Sequence, residues 1–167
     1  MNIAATTAKM IAFYRGNHHD INHFLKVHAY ARTIGELEGL DPATQRTLEL
    51  AAVIHDIACP LCREKYGSAD GRKQELESPA LVEAFLADLD VPEETARRVN
   101  FLVSHHHTYT GVDGPDYQIL LEADYLVNAD EGNQSPAAIR AARNRFFRTA
   151  AGTALLNSIY FPEEGNA

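Results

Sequence analysis

Apolar residues recur at helical spacing along almost the whole chain, and this periodicity restricts the fold more than any other feature. Apolar positions at i, i+3 and i+4 are found in every long segment, whereas no alternating run of apolar and polar residues is bounded by turns. The first pattern predicts amphipathic helices, and the lack of the second argues against strands. The sequence therefore predicts an all-α fold, a helical bundle.

Capping residues and helix breakers locate the predicted helices. Gly16 and Gly39 end the first two, and Asp41 followed by Pro42 begins the third. The predicted helices cover residues 3–15, 20–38, 42–57, 78–89, 92–105, 116–129 and 136–148, with a short terminal turn over 155–159. Because no linker or repeat interrupts the 167 residues, we expect a single domain over 1–167, with C-terminal helices within 136–159.

Residues 59–72, CPLCREKYGSADGR, are predicted to form the longest loop. Long loops often carry function, and this one is basic within an acidic chain. We interpret Lys65 and Arg72 as candidate substrate-binding residues that contact phosphate or sugar, with Gly67 and Gly71 allowing close approach of the backbone. A charged loop that faces only solvent is the alternative.

Charge and hydropathy limit the partners. Fifteen Lys and Arg against twenty-three Asp and Glu give a net charge of −8, which repels long nucleic acids but still allows a small phosphorylated molecule. The longest apolar run, residues 50–54, is far shorter than the roughly 18 residues of a membrane span. The first sixteen residues include Thr6, Thr7 and Lys9 where a signal peptide needs an apolar stretch.

Cys59 and Cys62 are the only two cysteines, so no disulfide framework is predicted and a cytoplasmic location is expected. The segment C-P-L-C formally matches a thioredoxin-type motif, which must begin a helix after a strand in an α/β fold. Since the sequence predicts a loop here and no sheet, we disfavour that interpretation. A regulatory disulfide beside the active site stays open.

Ionisable residues continue the apolar faces of four predicted helices. All eight histidines fall within residues 18–28, at 55 and at 105–107. His23 lies on the same predicted helical face as Val27, Ala31 and Ile34. In each of the other three helices an ionisable residue likewise lies on the apolar face. The four positions are His23, His55 with Asp56 beside it, His106 with His105 beside it, and Asp124.

The carboxylates of Asp56 and Asp124, if buried, need partners that compensate their charge, because an isolated buried charge costs several kcal/mol. Imidazoles and carboxylates that converge on one point are the ligand set of a divalent ion such as Mn, Fe, Co, Zn or Mg. A single core histidine is usually structural, and an all-α scaffold protein would need all these positions to be incidental. The joint pattern favours a metal site.

At these residues the sequence resembles the HD-domain superfamily of metal-dependent phosphohydrolases. The segment H-D-I-N-H-F-L-K-V from His19 to Val27 is similar to its first motif. The His-Asp pair lies in AAVIHDIA, and E-A-D-Y-L at residues 122–126 is similar to the last motif. The resemblance covers about residues 19–128 and implies a helical bundle of the HD-domain type.

The resemblance implies that His23, His55, Asp56 and Asp124 bind one divalent metal ion, with Ni added to the ions named above. Members with two ions have a further histidine where this chain has Glu77, and another near a histidine-rich run. A second ion held by Glu77 with His105 or His106 is a further expectation.

The resemblance also implies an activity: hydrolysis of a phosphoester or phosphoanhydride bond in a small metabolite, chiefly a nucleotide, by metal-activated water. Asp56 would both bind metal and orient water, while His105 or His106 would contact phosphate or protonate the leaving oxygen. Lys26, one turn from His23, would contact phosphate or else face solvent. The alternative function is a regulatory module that binds metal or nucleotide without turnover.

A homodimer is a further expectation. Phe146 and Phe147 lie next to Arg143, Arg145 and Arg148, and the group could form either a helix contact or a dimer surface.

Overall fold

The computed structural model describes residues 2–163, and within that range the chain forms helices and turns without a strand. The helices are α1 (Ile3–Tyr14), α2 (His18–Leu37), α3 (Pro42–Ile54), α4 (Cys59–Tyr66), α5 (Gly71–Leu86), α6 (Glu93–Val103), α7 (Pro115–Glu131), α8 (Pro136–Phe146) and α9 (Ala150–Tyr160). The prediction of an all-α fold is confirmed.

Short polar side chains cap the start of several of these helices. The side-chain oxygens of Asn17, Asp41, Asp70 and Thr149 accept hydrogen bonds from backbone N–H groups in the first turns of α2, α3, α5 and α9. Each such bond satisfies a donor that has no partner inside the helix. Pro42 adds the fixed backbone angle that suits a first turn.

The prediction of a loop over residues 59–72 is wrong. Helix α4 occupies its first half, and α5 begins at Gly71 rather than at residue 78. Gly67 ends α4 with a φ of 69°, a left-handed conformation that favours glycine, and Asp70 then caps α5. These helices are short or largely polar, so apolar periodicity does not reveal them. Pro79 lies inside α5 and does not begin it.

The cysteine motif lies at the start of α4, which corrects the sequence-based placement in a loop. Cys59 is the first residue of the helix, and both Cys59 and Cys62 are buried free thiols. No strand precedes them between residues 2 and 163, so the α/β context of a thioredoxin-type motif is missing. At the other end of the chain, the predicted short turn over 155–159 is part of the eleven-residue helix α9.

Helix α2 lies at the centre and packs against α3 and α7, while α3 also packs against α6 and α7. Side chains at helical spacing fill the space between them, including Phe24, Val27 and Ile34 of α2 and Leu120 of α7, all completely buried. Among the described residues, no helix combines the length and apolarity that crossing a membrane requires. The central packing brings the inner faces of α2, α3, α6 and α7 together.

Candidate metal centre

Five ionisable side chains meet where these inner faces converge. His23 lies on α2 and Asp124 on α7, His55 and Asp56 directly follow the last residue of α3, and His106 follows α6. His55 and His106 are fully buried, and Asp124 and His23 are 2% and 5% exposed. Only Asp56 is partly open, with 20% of its side chain exposed. The centre therefore has four buried members and one that is partly exposed to solvent.

Asp124 and Asp56 each place one oxygen close to the Nε2 atoms of both His23 and His55. His23 Nε2 lies 3.2 Å from His55 Nε2 and 3.2 Å from Asp124 Oδ1. Asp56 Oδ2 lies 3.4 Å from His23 Nε2 and 3.5 Å from His55 Nε2. Ligands that bind one ion at roughly 2.0–2.2 Å are separated by about 3 Å when they stand at right angles. The spacing fits a metal ion.

The other ring nitrogen of each central histidine has its own acceptor. His55 Nδ1 donates to the carbonyl oxygen of Ala52 at 2.8 Å, and His106 Nδ1 donates to that of Val103 at 2.7 Å. His23 Nδ1 lies 2.8 Å from Glu131 Oε2. Since a carbonyl or carboxylate oxygen can only accept, each Nδ1 carries hydrogen. When such a ring is neutral, as it must be to bind an ion, Nε2 presents its lone pair to the centre.

Electrostatics in the metal-free centre link the acids to the histidines. Burial by itself lowers the pKa of His23, but the hydrogen bond to Asp124 and the charges of Asp56 and Asp124 outweigh it and raise this pKa to about 9. Burial by itself raises the pKa of Asp56, yet interactions with His55 and His106 hold it well below its usual value. Burial also raises the pKa of Asp124, but hydrogen bonds with His23 and His55 outweigh it and lower this pKa. Both carboxylates are therefore ionised at neutral pH, as metal ligands must be.

A buried polar atom that lacks a hydrogen-bond partner also supports a cation site at this centre. His106 Nε2 is buried, forms no hydrogen bond and lies 3.5 Å from Asp56 Oδ1. The two carboxylate oxygens of Asp56 thus face different histidines. Three overlapping groups of ligand atoms lie within 4.8 Å: His23 with His55 and Asp124, His55 with Asp56 and His106, and His106 with His107 and Asp124. The chain can hold a divalent ion here.

The structure does not bring the expected second-ion ligands together. Glu77 binds Lys65 at 2.6 Å and also the hydroxyl of Tyr66, and it belongs to none of the ligand groups found among the described residues. His105 stacks on Phe101 and donates Nδ1–H to its carbonyl oxygen at 2.7 Å. Of the three expected residues, only His106 lies at the centre.

His107 is a further candidate ligand at the metal centre, beside His106. Its ring lies 3.9 Å from that of His106, and its buried Nε2 has no hydrogen-bond partner. Burial and the neighbouring His106 lower the pKa of His107 to about 4, so the ring is neutral at pH 7 and has a free lone pair. The His107 side chain packs against Gly71, where an added Cβ atom would lie only 2.5–2.8 Å from the Cβ, Cγ and Cδ2 atoms of His107.

The candidate substrate-binding residues lie outside the ligand groups. Lys26 Nζ binds Glu131 Oε1 at 3.0 Å and is about half exposed, while Lys65 is bound to Glu77. Arg72 is exposed in the first turn of α5. A role of Lys26, Lys65 or Arg72 in phosphate binding stays a prediction.

Two further polar contacts at the centre were not predicted. Arg63 of α4 forms a two-pronged ion pair with the buried Asp20, which ties α4 to the start of α2. Glu131 binds both His23 and Lys26. Its position offers a signal that could have been used, because Glu131 comes seven residues after Asp124 and so lies on the same helical face.

Comparison of the chain with family models, with curated proteins and with solved structures finds no match. The fold and the site thus define an all-helical protein with a buried His/Asp cluster able to hold a metal ion. The HD-domain type and its chemistry remain predictions from the sequence motifs.

Proposed function

We propose that the protein is a metal-dependent phosphohydrolase that cleaves a phosphoester or phosphoanhydride bond of a small phosphorylated metabolite, chiefly a nucleotide. The observation that carries the proposal is that Asp124 and Asp56 each place an oxygen within 3.5 Å of the Nε2 atoms of both His23 and His55, with Asp56 the most exposed of the four. The order of these residues along the chain also resembles the HD-domain motifs.

The ligand set suits the reaction. Two imidazole nitrogens and two carboxylate oxygens bind borderline and hard divalent ions. A divalent ion in such a site supplies Lewis acidity and activates water near neutral pH. Since His23, His55 and Asp124 are buried, the side of the centre at Asp56 is where a phosphate and a water molecule can enter.

The role of Asp56 follows from its two carboxylate oxygens. One oxygen faces His23 and His55, and the other faces His106 at 3.5 Å. A carboxylate whose two oxygens face different partners can bind an ion through one oxygen and orient a water molecule through the other. His106 itself is fully buried, so its Nε2 is suited to interact with Asp56 or an ion rather than to receive substrate from solvent.

The charge of the chain favours a small substrate. A net charge of −8 opposes the approach of a long polyanion, whereas a compact phosphate is attracted once the acids of the centre are neutralised by an ion. The reaction class is therefore hydrolysis of a small phosphate ester or anhydride.

Activity of the purified protein tests the proposal. Nucleoside mono-, di- and triphosphates, cyclic dinucleotides and an aryl phosphate are incubated with the protein after chelation and addition of Mn, Co, Ni, Fe, Mg or Zn in turn. We expect phosphate release or bond cleavage with at least one ion. His55→Gln and Asp124→Asn should lower kcat/KM at least 100-fold. The matched control is His28→Gln, because His28 binds Glu49 at 2.9 Å and belongs to no ligand group among the described residues.

Two results would contradict the proposal. Equal activity of the wild type and both centre variants would assign turnover to something other than the cluster. Tight binding of an ion without turnover of any substrate would instead favour the regulatory module that binds metal or nucleotide.

A further inference from the structure

One of the three central histidines differs from the others in the hydrogen-bond partner of its Nδ1 atom, the ring nitrogen that points away from the centre. His55 and His106 each donate Nδ1–H to a backbone carbonyl of the preceding turn. His23 instead bonds to a carboxylate oxygen of Glu131, which lies 108 residues further along the chain. The orientation of His23 therefore depends on a side chain from a different helix.

Glu131 is the last residue of α7, and both of its oxygens are in use. Oε2 accepts the bond from His23 at 2.8 Å, and Oε1 accepts one from Lys26 at 3.0 Å. The side chain of Glu131 is only 17% exposed, whereas that of Lys26 is 47% exposed. His19 Nε2 also lies 3.6 Å from Oε2. The carboxylate is thus held in place by cationic and hydrogen-bonding groups on α2.

We propose that Glu131 is a positioning residue that fixes His23 with hydrogen on Nδ1 and so directs its Nε2 lone pair into the metal centre. The proposal rests on the metal centre of the proposed function and deepens it. Lys26 acts one step further out, because its ammonium group orients the Glu131 carboxylate. This assigns Lys26 a contact that competes with the predicted one to phosphate.

The chemistry supports a role beyond packing. A carboxylate that accepts Nδ1–H keeps the correct tautomer and increases the electron density on Nε2, which strengthens its bond to an ion. Loss of such an outer partner commonly lowers metal affinity 10- to 100-fold. Glu131 lies at the edge of the centre and outside the apolar core, so we expect its replacement to leave the packed core intact.

Zn²⁺ binding and NMR of the full chain test the proposal. The dissociation constant for Zn²⁺ is measured at pH 8 by competition with a chelating dye, and the hydrogen-bonded Nδ1 proton of His23 is observed in the Zn²⁺-loaded protein. The variants are Glu131→Ala, Glu131→Gln and Lys26→Met. Asp130→Asn is the matched control, because Asp130 is the exposed acid next to Glu131 on α7.

We expect Glu131→Ala to weaken Zn²⁺ binding 10- to 100-fold and to lose the Nδ1 proton signal through exchange with water. Glu131→Gln keeps an acceptor oxygen, so it should retain the signal and lose less affinity. Lys26→Met should have a smaller effect than Glu131→Ala, and Asp130→Asn should match the wild type.

Unchanged affinity and an unchanged Nδ1 signal in Glu131→Ala would overturn the proposal. Equal losses in Glu131→Ala and Asp130→Asn would also overturn it, because they would reflect the overall charge of α7. A wild type that binds no Zn²⁺ overturns it together with the metal centre. A wild type that binds Zn²⁺ without phosphate hydrolysis leaves it standing and counts against the proposed function alone.

Discussion

The stability of the metal-free protein should fall as the pH rises from 7 to 10, and His23 is the reason. Interactions with Asp124 and Asp56 raise the pKa of His23 to about 9 in the folded chain, against about 6.5 for an unfolded histidine. A group whose folded pKa is raised stabilises the fold fully below its unfolded pKa. This contribution disappears as the pH passes through the folded value.

The magnitude follows from the two pKa values. At pH 7 the folded state holds the proton and the unfolded state has largely released it, which stabilises the fold by about 2.5 kcal/mol. Below pH 6 the contribution approaches about 3.4 kcal/mol, and at pH 10 it is close to zero. His23 is 5% exposed, so solvent screens these interactions little.

Urea unfolding of the chelated protein, followed by circular dichroism at pH 7 and pH 10, measures the effect. Because other groups also titrate in this range, the informative quantity is the difference in unfolding free energy between the wild type and His23→Gln. We expect this difference to shrink by about 2–3 kcal/mol between the two pH values. A difference that is the same at both would refute the reasoning that His23 carries a proton bound by Asp56 and Asp124.

Four further outcomes follow from the same geometry. Zn²⁺ or Mn²⁺ at 100 times its dissociation constant should stabilise the protein by about 2.7 kcal/mol in thermal unfolding, and Asp124→Asn should abolish this gain. Metal affinity, measured by chelator competition, should rise about tenfold per pH unit between 7 and 9, since binding displaces the proton of His23. Glu122→Ala should cost about 2–5 kcal/mol in urea unfolding without changing metal affinity, because the buried carboxylate accepts bonds from backbone N–H groups between α8 and α9. Gly71→Ala should cost about 1–3 kcal/mol and broaden or shift the NMR signals of His107, whose ring leaves no room for a Cβ atom.

The ionisable residues of the centre could be located from helical periodicity. His23, His55, His106 and Asp124 each continue an apolar stripe, and each is buried. Periodicity identifies residues that face the interior, and the cost of burying an unpaired charge predicts that such residues meet. Those two arguments require no knowledge of how the helices are arranged.

The residues around the centre depend on the arrangement of the helices and could not be derived in this way. Helical spacing places Glu131 on the same face as Asp124, but its contact with His23 exists only because the end of α7 packs beside α2. Glu77 faces Lys65 because residues 59–66 form a helix where a loop was predicted. His107 lies one position after His106, but only the close approach of Gly71 shows that its ring is directed inwards.

A proton and a metal ion are alternative ways to compensate the same two carboxylates. Without an ion, the proton on His23 compensates part of the charge of Asp56 and Asp124, so the chelated chain should remain folded at neutral pH. With an ion, that proton leaves and the affinity depends on pH. A structural cluster in a scaffold protein would show the dependence of stability on pH but no response to metal, whereas a metal centre must show both. The two measurements together therefore separate these classes of protein before any substrate is known.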